Sequence, residues 1–221
     1  MNFTVEQHGF TLLRGALEHQ NVERILAALG PVAGAGRRGL LAHPEVSALA
    51  CSQHLLCHVR PHLPMEPVPV RALYFDKSPD ANWLVPWHQD LTLAVREHAK
   101  AHGFGPWSTK EGVPHVQPPV QLLEQMLAVR LHLDDADADN GALRVLPGSH
   151  RAGRLSPVRI QELRASQPEQ LCVAAAGDAL LMRPLLLHAS SRSASTRHRR
   201  VLHLEYAAFA LPPGLHWHEA S

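Results

Sequence analysis

The chain has few cysteines, no marked excess of charge and no long apolar run. Its three cysteines provide no even set for a disulfide framework, which fits a reducing compartment. The formal net charge of +1 does not indicate a nucleic-acid or membrane-surface protein. No stretch approaches the roughly 18 apolar residues of a transmembrane helix. The first residues also lack the basic-then-apolar order of a secretory signal. We therefore expect a cytoplasmic protein that binds neither nucleic acid nor membranes.

Histidine and proline are abundant instead, with 17 and 18 residues respectively in a chain of 221. This length suits a single domain, and the hydrophobic fraction of 45% is ordinary for a globular protein. We expect a helical N-terminal section over about 1–66 and a barrel over about 67–210, with an insertion over 91–124. Such a long insertion forms either a lid over a site or a surface excursion packed by Trp107.

Apolar spacing and turn residues predict a series of short elements. In the N-terminal section they predict a strand at 8–14 and helices at 18–29 and from Pro44 to about His58. Cys51 and Cys57 lie in the second helix at a spacing that fits no standard zinc pattern, so we interpret them as ordinary buried packing. Later strands are predicted at 70–77, 83–90, 126–133, 142–146, 170–175, from 179 through Pro184 to 188, and at 199–209, with a short helix at 157–166. Many short strands broken by glycine and proline favour a mainly β fold with N-terminal helices, either a sandwich or a jelly roll.

The segment Pro86–Asp90 is the first candidate for chemistry. In a strand, the two-residue period of side chains places His88 and Asp90 on one face. An imidazole beside a carboxylate forms two-thirds of the facial triad that binds non-haem Fe(II) and leaves coordination positions open. A His-x-Asp pair also arises by chance in a histidine-rich chain, and a strand-end histidine hydrogen-bonded to a carboxylate is the simpler interpretation.

Two later residues can complete such a site. His188 follows the apolar run Leu185–Leu187, and a buried histidine needs a metal ion or a backbone carbonyl as the partner of its ring nitrogens. Eleven positions later, Arg199 offers a planar guanidinium that binds a carboxylate through two hydrogen bonds. The basic segment Arg192–Arg200 has two further interpretations, a solvated edge and a patch for an anion or RNA.

Taken in order, these motifs resemble those of the phytanoyl-CoA dioxygenase family. The similarity extends from about residue 5 to 209 and is carried by Trp87-His88-Gln89-Asp90, Asn140-Gly141-Ala142-Leu143-Arg144-Val145-Leu146-Pro147-Gly148-Ser149-His150, Gly177-Asp178, His188-Ala189-Ser190 and Arg199. The resemblance implies a double-stranded β-helix, a jelly-roll or cupin-like barrel, that binds Fe(II) and 2-oxoglutarate. It also implies O2 and a small molecule as substrates, with hydroxylation and the release of succinate and CO2.

The resemblance also assigns roles to single residues. It implies three iron ligands, namely His88, Asp90 and His188. It makes Arg199 the partner of the distal carboxylate of 2-oxoglutarate, helped by the Ser190 hydroxyl, and it places Leu73 against the co-substrate.

The sequence departs from the family pattern in two places. Arg130 stands where the family often has a tryptophan, which leaves open the residue that binds the keto-acid end of 2-oxoglutarate. Arg71, on the same strand face as Leu73, is a candidate for that role. The insertion differs from that of the name-giving enzyme, so a coenzyme A ester is not assumed as the substrate. Asp90 is retained, whereas halogenating relatives carry a small residue there, and halogenation is therefore disfavoured.

Four residues are candidate substrate contacts. Trp107 can cover the site from the insertion, while Lys77, Arg38 or His203 can meet a polar or anionic group; for each, a structural role is the alternative. A different class of function is also open, namely a cupin-like barrel that binds a metal or ligand without turnover. The sequence leaves the oligomeric state undetermined.

Overall fold

The computed structural model describes residues 2–32 and 34–220; Met1 and Ala33, which fall within the predicted helical section, and Ser221 lie outside the described residues. The N-terminal section combines helices with two short strands. Its elements are α1 (Val5–His8), β1 (Phe10–Leu13), α2 (His19–Leu29), β2 (Gly36–Arg37), α3 (Pro44–Ala50) and α4 (Gln53–Val59), with short 3-10 helices at Leu40–Ala42 and Arg60–His62. None of the helices within the described ranges is both long and apolar enough to cross a membrane.

From residue 68 onward the chain is mainly β. The elements are β3 (Val68–Lys77), β4 (Val85–His88), β5 (Leu93–Ala94), β6 (Trp107–Lys110), β7 (Val113–Val116), α5 (Val120–Leu123), β8 (Met126–His132), β9 (Leu143–Val145), a 3-10 helix at Ser149–Ala152, α6 (Pro157–Ser166), β10 (Gln170–Cys172), β11 (Ala179–Met182), β12 (His188–Ser190) and β13 (Arg199–Ala207).

Two antiparallel sheets form the jelly roll. The major sheet has the strand order β1-β11-β8-β13-β3-β2, and the minor sheet has the order β10-β9-β12-β4. The predicted helical section therefore also contributes β1 and β2, the two edge strands of the major sheet. The fold class predicted from the sequence, mainly β with N-terminal helices in a jelly roll, is confirmed.

The two faces of the major sheet bury different kinds of side chain. Alternate residues of its strands, such as Tyr74, Val129 and Leu204, face the N-terminal helices and join Val22 and Ile25 in the largest apolar cluster. The opposite face meets the minor sheet. Towards β1 and β11 this inter-sheet space is filled by a second apolar cluster, which contains Phe10, Leu143, Val145, Leu180 and Met182. Towards β13 and β3 it opens into a cavity.

The predicted helix at 18–29 is confirmed, but the single helix predicted from Pro44 to His58 is wrong. The chain leaves α3 at Cys51, and the Ser52 side chain accepts a hydrogen bond from the Leu55 amide to begin α4. Cys51 and Cys57 are exposed rather than buried in packing, since α4 buries Leu55, Leu56 and Val59 instead. Neither belongs to the one cluster of potential metal ligands found among the described residues.

Two other expectations about the β elements are also corrected. The strand predicted from 179 through Pro184 to 188 is two strands in different sheets, because the Leu186 amide bonds to the Arg183 carbonyl in a turn around the proline. The insertion at 91–124, for which no strand was predicted, contains a separate three-stranded sheet formed by β5, β7 and β6.

Candidate metal and co-substrate site

Three predicted ligands converge at the cavity between the two sheets. His88 ends β4, His188 begins β12, and the two residues are direct partners in the antiparallel pairing of these strands. Asp90 lies just beyond β4, where its amide donates to the Pro184 carbonyl at 2.9 Å. Its two carboxylate oxygens each lie 3.6 Å from one histidine Nε2. One ligand atom from each residue lies within 4.8 Å of the other two, which is close enough to share one metal ion.

Backbone carbonyls orient both imidazoles. His88 Nδ1 lies 2.8 Å from the Pro86 carbonyl oxygen, and His188 Nδ1 lies 2.8 Å from that of Leu186. A carbonyl can only accept, so each Nδ1 carries the proton and each Nε2 presents its lone pair to the site. This is the arrangement in which a second-shell acceptor fixes the tautomer of a metal-ligating histidine.

The protonation states also suit a divalent cation. Burial lowers the pKa of His188 to about 4, which keeps its imidazole neutral at physiological pH. Burial would raise the pKa of Asp90, but the neighbouring His188 and His88 outweigh this effect and lower the pKa to about 2. Two imidazole nitrogens and one carboxylate with open positions form the donor set of non-haem Fe(II) sites.

Arg199, at the start of β13, reaches the same cavity. Its side chain is 2% exposed, and its Nε and Nη1 atoms find no hydrogen-bond acceptor in residues 2–32 and 34–220. Burial and the nearby Arg130 lower the pKa of Arg199 to about 9, which still leaves it charged at neutral pH. A buried guanidinium with free donors is a site for a carboxylate.

Ser190 and Lys77 form a buried unit beside Arg199. Lys77 pairs with Arg199 across β3 and β13, and its ammonium donates to Ser190 Oγ at 2.9 Å. The Ser190 hydroxyl in turn donates to the Gly141 carbonyl at 2.8 Å. The Ser190 hydroxyl therefore already donates its hydrogen bond within the protein. A carboxylate bound to Arg199 would contact this hydroxyl as a fixed part of the cavity wall.

The cavity encloses about 220 Å³ and includes most of the predicted site residues. Beside the three potential ligands and Arg199, its lining contains Arg38, Arg71, Leu73, Ser190 and His203. Leu73 pairs with His203, and that histidine accepts from Arg130 Nη1 at 3.2 Å. Arg71 donates to Glu205 at 3.2 Å, and its proposed contact with the co-substrate stays a prediction.

Two predicted substrate contacts, Lys77 and Trp107, lie outside this lining, and their contact with a substrate stays a prediction. Lys77 is completely buried, because its ammonium is bound to Ser190 and to the Ser191 carbonyl. Trp107 stacks on His98 with ring centroids 4.4 Å apart and packs into the apolar cluster beneath the insertion. The insertion reaches the cavity through Lys110 instead.

Three charged residues of the lining were not predicted as site residues, namely Lys110, Glu205 and Arg130. Of these, only Arg130 is noted from the sequence, as the residue that stands where the family often has a tryptophan. Arg130 lies in the middle of β8 and is 8% exposed, and its Nε has no acceptor within the described part of the chain. The available signal was its position, since it is the one charged residue in the otherwise apolar run from Met126 to Leu131. A charge inside such a strand is expensive unless a partner is supplied.

Comparison with known proteins agrees with this geometry. The sequence model of the phytanoyl-CoA dioxygenase (PhyH) family matches residues 5–201. A search of curated proteins finds no match.

Solved structures with the same fold have low sequence identity to this chain. AviO1 from Streptomyces viridochromogenes Tue57 is 22% identical with a TM-score of 0.68, covering 95% of this chain and 94% of its own. HygX from Streptomyces hygroscopicus, solved with nickel and 2-oxoglutarate, is 19% identical with a TM-score of 0.64, covering 92% and 84%. SnoN, a non-haem α-ketoglutarate-dependent epimerase from nogalamycin biosynthesis, is 16% identical with a TM-score of 0.67, covering 91% and 78%.

Proposed function

Because the chain belongs to the phytanoyl-CoA dioxygenase family, we propose that it is an Fe(II)- and 2-oxoglutarate-dependent oxygenase. The observation that supports this most is the convergence of His88 Nε2, His188 Nε2 and the Asp90 carboxylate on one point of a cavity. Arg199 gives a second, independent reason, because its buried guanidinium supplies the carboxylate anchor that such an enzyme needs.

Each part of the site has a defined task in this proposal. His88, Asp90 and His188 would hold the iron. Arg199 binds the distal carboxylate of 2-oxoglutarate, and Leu73 packs along the carbon chain of the co-substrate. Iron with 2-oxoglutarate and O2 supplies the oxidising power that inserts oxygen into a C–H bond, with succinate and CO2 as co-products. The protein positions the reactants and excludes competing reactions.

We propose hydroxylation of a small molecule as the reaction. Related folds include an epimerase, SnoN, and a carbocyclase, SnoK, and a HygX structure contains hygromycin B. Proteins of this fold therefore include enzymes with different reaction outcomes. Hydroxylation is the simplest of these, because it needs no second reactive group on the substrate.

The decisive experiment measures succinate formed from 2-oxoglutarate by purified protein with and without added Fe(II). We expect succinate in an iron-dependent reaction, and we expect His188→Ala to abolish it, because one of three ligands is lost. His216→Ala, which removes a histidine outside the cavity lining, serves as the matched control and should retain activity. A cupin-like binding protein would take up metal and ligand but form no succinate, and that result would rule out the enzyme.

A further inference from the structure

Three cations from separate elements surround the side of the cavity that faces away from Arg199. Arg38 follows β2, Arg71 lies on β3 and Lys110 ends β6 of the insertion; we call these three residues the cationic rim. Arg38 is paired with Glu111 at 2.8 Å, and Arg71 is paired with Glu205. Lys110 Nζ contacts only the Thr92 hydroxyl among the described residues, at 3.2 Å. Burial and the charges of Arg71 and Arg38 lower the pKa of Lys110, as expected for cations held close together.

The strand register separates Arg71 of this rim from Arg199. Glu205, the partner of Arg71, lies six residues beyond Arg199 on the same strand. Six residues of antiparallel strand span about 20 Å. A five-carbon dicarboxylate anchored on Arg199 is much shorter than that and has to bind the metal with its other end. The backbone of Arg71 therefore lies farther from Arg199 than the co-substrate is long, which leaves Arg71 open to a second anion.

The charge balance of the cavity points to a further anion. Five cationic side chains line it, namely Arg38, Arg71, Lys110, Arg130 and Arg199, against two carboxylates, Asp90 and Glu205. Five positive and two negative charges leave an excess of three. A divalent metal ion and a 2-oxoglutarate dianion cancel each other, so the excess remains when both are bound. Glu111, which pairs with Arg38 from outside the lining, reduces it to two. Arg71, Arg130 and Arg199 are each less than a tenth exposed, and uncompensated positive charge at such buried positions is costly, whereas Arg38 and Lys110 are exposed to solvent. An anionic ligand in the cavity compensates the buried charge and can be reached by the two exposed cations.

We propose that the prime substrate carries an anionic group, a phosphate or a carboxylate, which the cationic rim binds while the carbon to be oxidised lies at the metal. This inference rests on the proposed function, since it places the substrate in the same cavity. It assigns Arg71 to the substrate rather than to the keto-acid end of 2-oxoglutarate. A polycationic substrate would be repelled by the same charges.

A titration with inorganic phosphate tests the proposal without knowledge of the substrate. The full chain is loaded with Ni(II) and saturating 2-oxoglutarate, so that Arg199 is already occupied. Broadening of the phosphorus-31 resonance by Ni(II) then reports phosphate bound near the metal, and Zn(II)-loaded protein gives the diamagnetic reference. Acetate, followed by its methyl proton resonance, forms the second arm.

The variant that tests the rim is Lys110→Gln, with Arg38→Gln as a second rim variant. The matched control is Lys100→Gln, which removes an exposed lysine of the same insertion that lies outside the cavity lining. We expect saturable broadening in the original protein and about tenfold weaker phosphate binding in Lys110→Gln, as expected for loss of a hydrogen bond between charged groups. Lys100→Gln should bind phosphate like the original protein.

The outcomes separate the two proposals. No broadening by either anion, or equal broadening in the original protein and both rim variants, overturns the rim while leaving metal and 2-oxoglutarate binding intact. Failure to bind Ni(II) and 2-oxoglutarate at all defeats the proposed function and the rim with it. Broadening of phosphate alone assigns a phosphorylated substrate, and equal binding of acetate extends the class to carboxylic acids.

Discussion

Substitution of Arg199 by methionine tests whether this buried charge exists to bind a carboxylate. The guanidinium is 2% exposed, and two of its three nitrogens lack an acceptor in the described structure. Its partner across the sheet is another cation, Lys77. The ligand-free protein therefore holds Arg199 at a cost in stability that a bound carboxylate would recover.

The size of this cost can be worked out from the two free donors. A buried donor left without a partner costs about 1–3 kcal/mol, which gives about 2–6 kcal/mol for Nε and Nη1 together. Replacement of a buried ion pair by apolar side chains of similar volume is often neutral or stabilising by about 1–4 kcal/mol, and we expect a gain of about 2 kcal/mol for this unpaired guanidinium. For a gain of about 2 kcal/mol, a chain of this length should unfold roughly 4–8 °C higher.

Binding of 2-oxoglutarate should reverse the order of stability of Arg199→Met and the original protein. At a concentration about 100 times its Kd, a ligand that binds only the folded state stabilises it by about 2.7 kcal/mol. The original protein gains this amount, whereas Arg199→Met gains almost none because its carboxylate anchor is gone. The variant should therefore be the more stable protein without 2-oxoglutarate and the less stable one with it.

Calorimetric unfolding with Zn(II), with and without 2-oxoglutarate, measures both halves of the prediction. Arg197→Met is the matched control, because it removes an arginine two residues earlier that forms an exposed pair with Asp137. Such surface pairs contribute at most about 1 kcal/mol, so this variant should keep the full response to 2-oxoglutarate. The reasoning is refuted if Arg199→Met is less stable than the original protein without ligand, or if 2-oxoglutarate still stabilises it fully.

Two further predictions concern buried groups beside the site and behind the sheet. Burial, together with Arg199 and Arg130, lowers the pKa of Lys77 to about 7 in the folded protein, below its unfolded value. The unfolded chain thus binds more protons between about pH 7 and pH 10, and ligand-free stability should rise with pH by at most about 1.4 kcal/mol per unit. Denaturant titrations at several pH values should show that Lys77→Met lacks this rise, and an identical slope in both proteins would contradict the assignment. Tyr206→Phe should lower the free energy of unfolding by about 1–3 kcal/mol, because the hydroxyl donates to the buried Ala50 carbonyl at 2.9 Å, with succinate formation unchanged. A loss of activity at unchanged stability would instead tie Tyr206 to the site.

The grouping of the three potential ligands could be predicted from the sequence because local rules determine most of it. The two-residue period of a strand places His88 and Asp90 near each other, even though Asp90 lies just past the strand end. The approach of His188 depends on the pairing of β4 with β12, which spacing alone does not give. The resemblance of the ordered motifs to the phytanoyl-CoA dioxygenase family supplied the prediction that His188 is the third ligand.

The charged walls of the cavity could not be predicted in the same way. Lys110 reaches the cavity only because β6 pairs with β7 in a sheet that the apolar pattern of 91–124 does not reveal. Glu205 faces inward because β13 alternates its side chains between two buried faces, and nothing in the local sequence tells which face is polar. Such assignments require the strand order, which depends on contacts distant along the chain.

Two predictions of secondary-structure elements were wrong for simple local reasons. Ser52 can end one helix and begin the next by capping, so a continuous apolar period across Pro44–His58 was misleading. Pro184 interrupts a run of leucines that otherwise reads as one buried strand, and the interruption moves His188 into the other sheet. At Ser52 and at Pro184, a single residue determines where the element ends, although the hydrophobic pattern continues on both sides of it.

The two faces of the major sheet divide stability and binding between them. The inner face carries Arg71, Arg130 and Arg199, each less than a tenth exposed, and buried charge of this kind opposes folding of the ligand-free protein. Stability must then come from the outer face, where side chains such as Tyr74 and Leu204 are fully packed against the helices. It follows that an apolar residue in place of Arg130 or Arg199, neither of which forms an ion pair among the described residues, should weaken ligand binding without loss of stability. Arg71 differs, because its removal would leave the buried Glu205 unpaired. Substitutions on the outer face should lower stability and leave ligand binding unchanged. In such a protein the charged residues that line the cavity, and therefore the substrate, can change while the apolar core on the outer face stays the same.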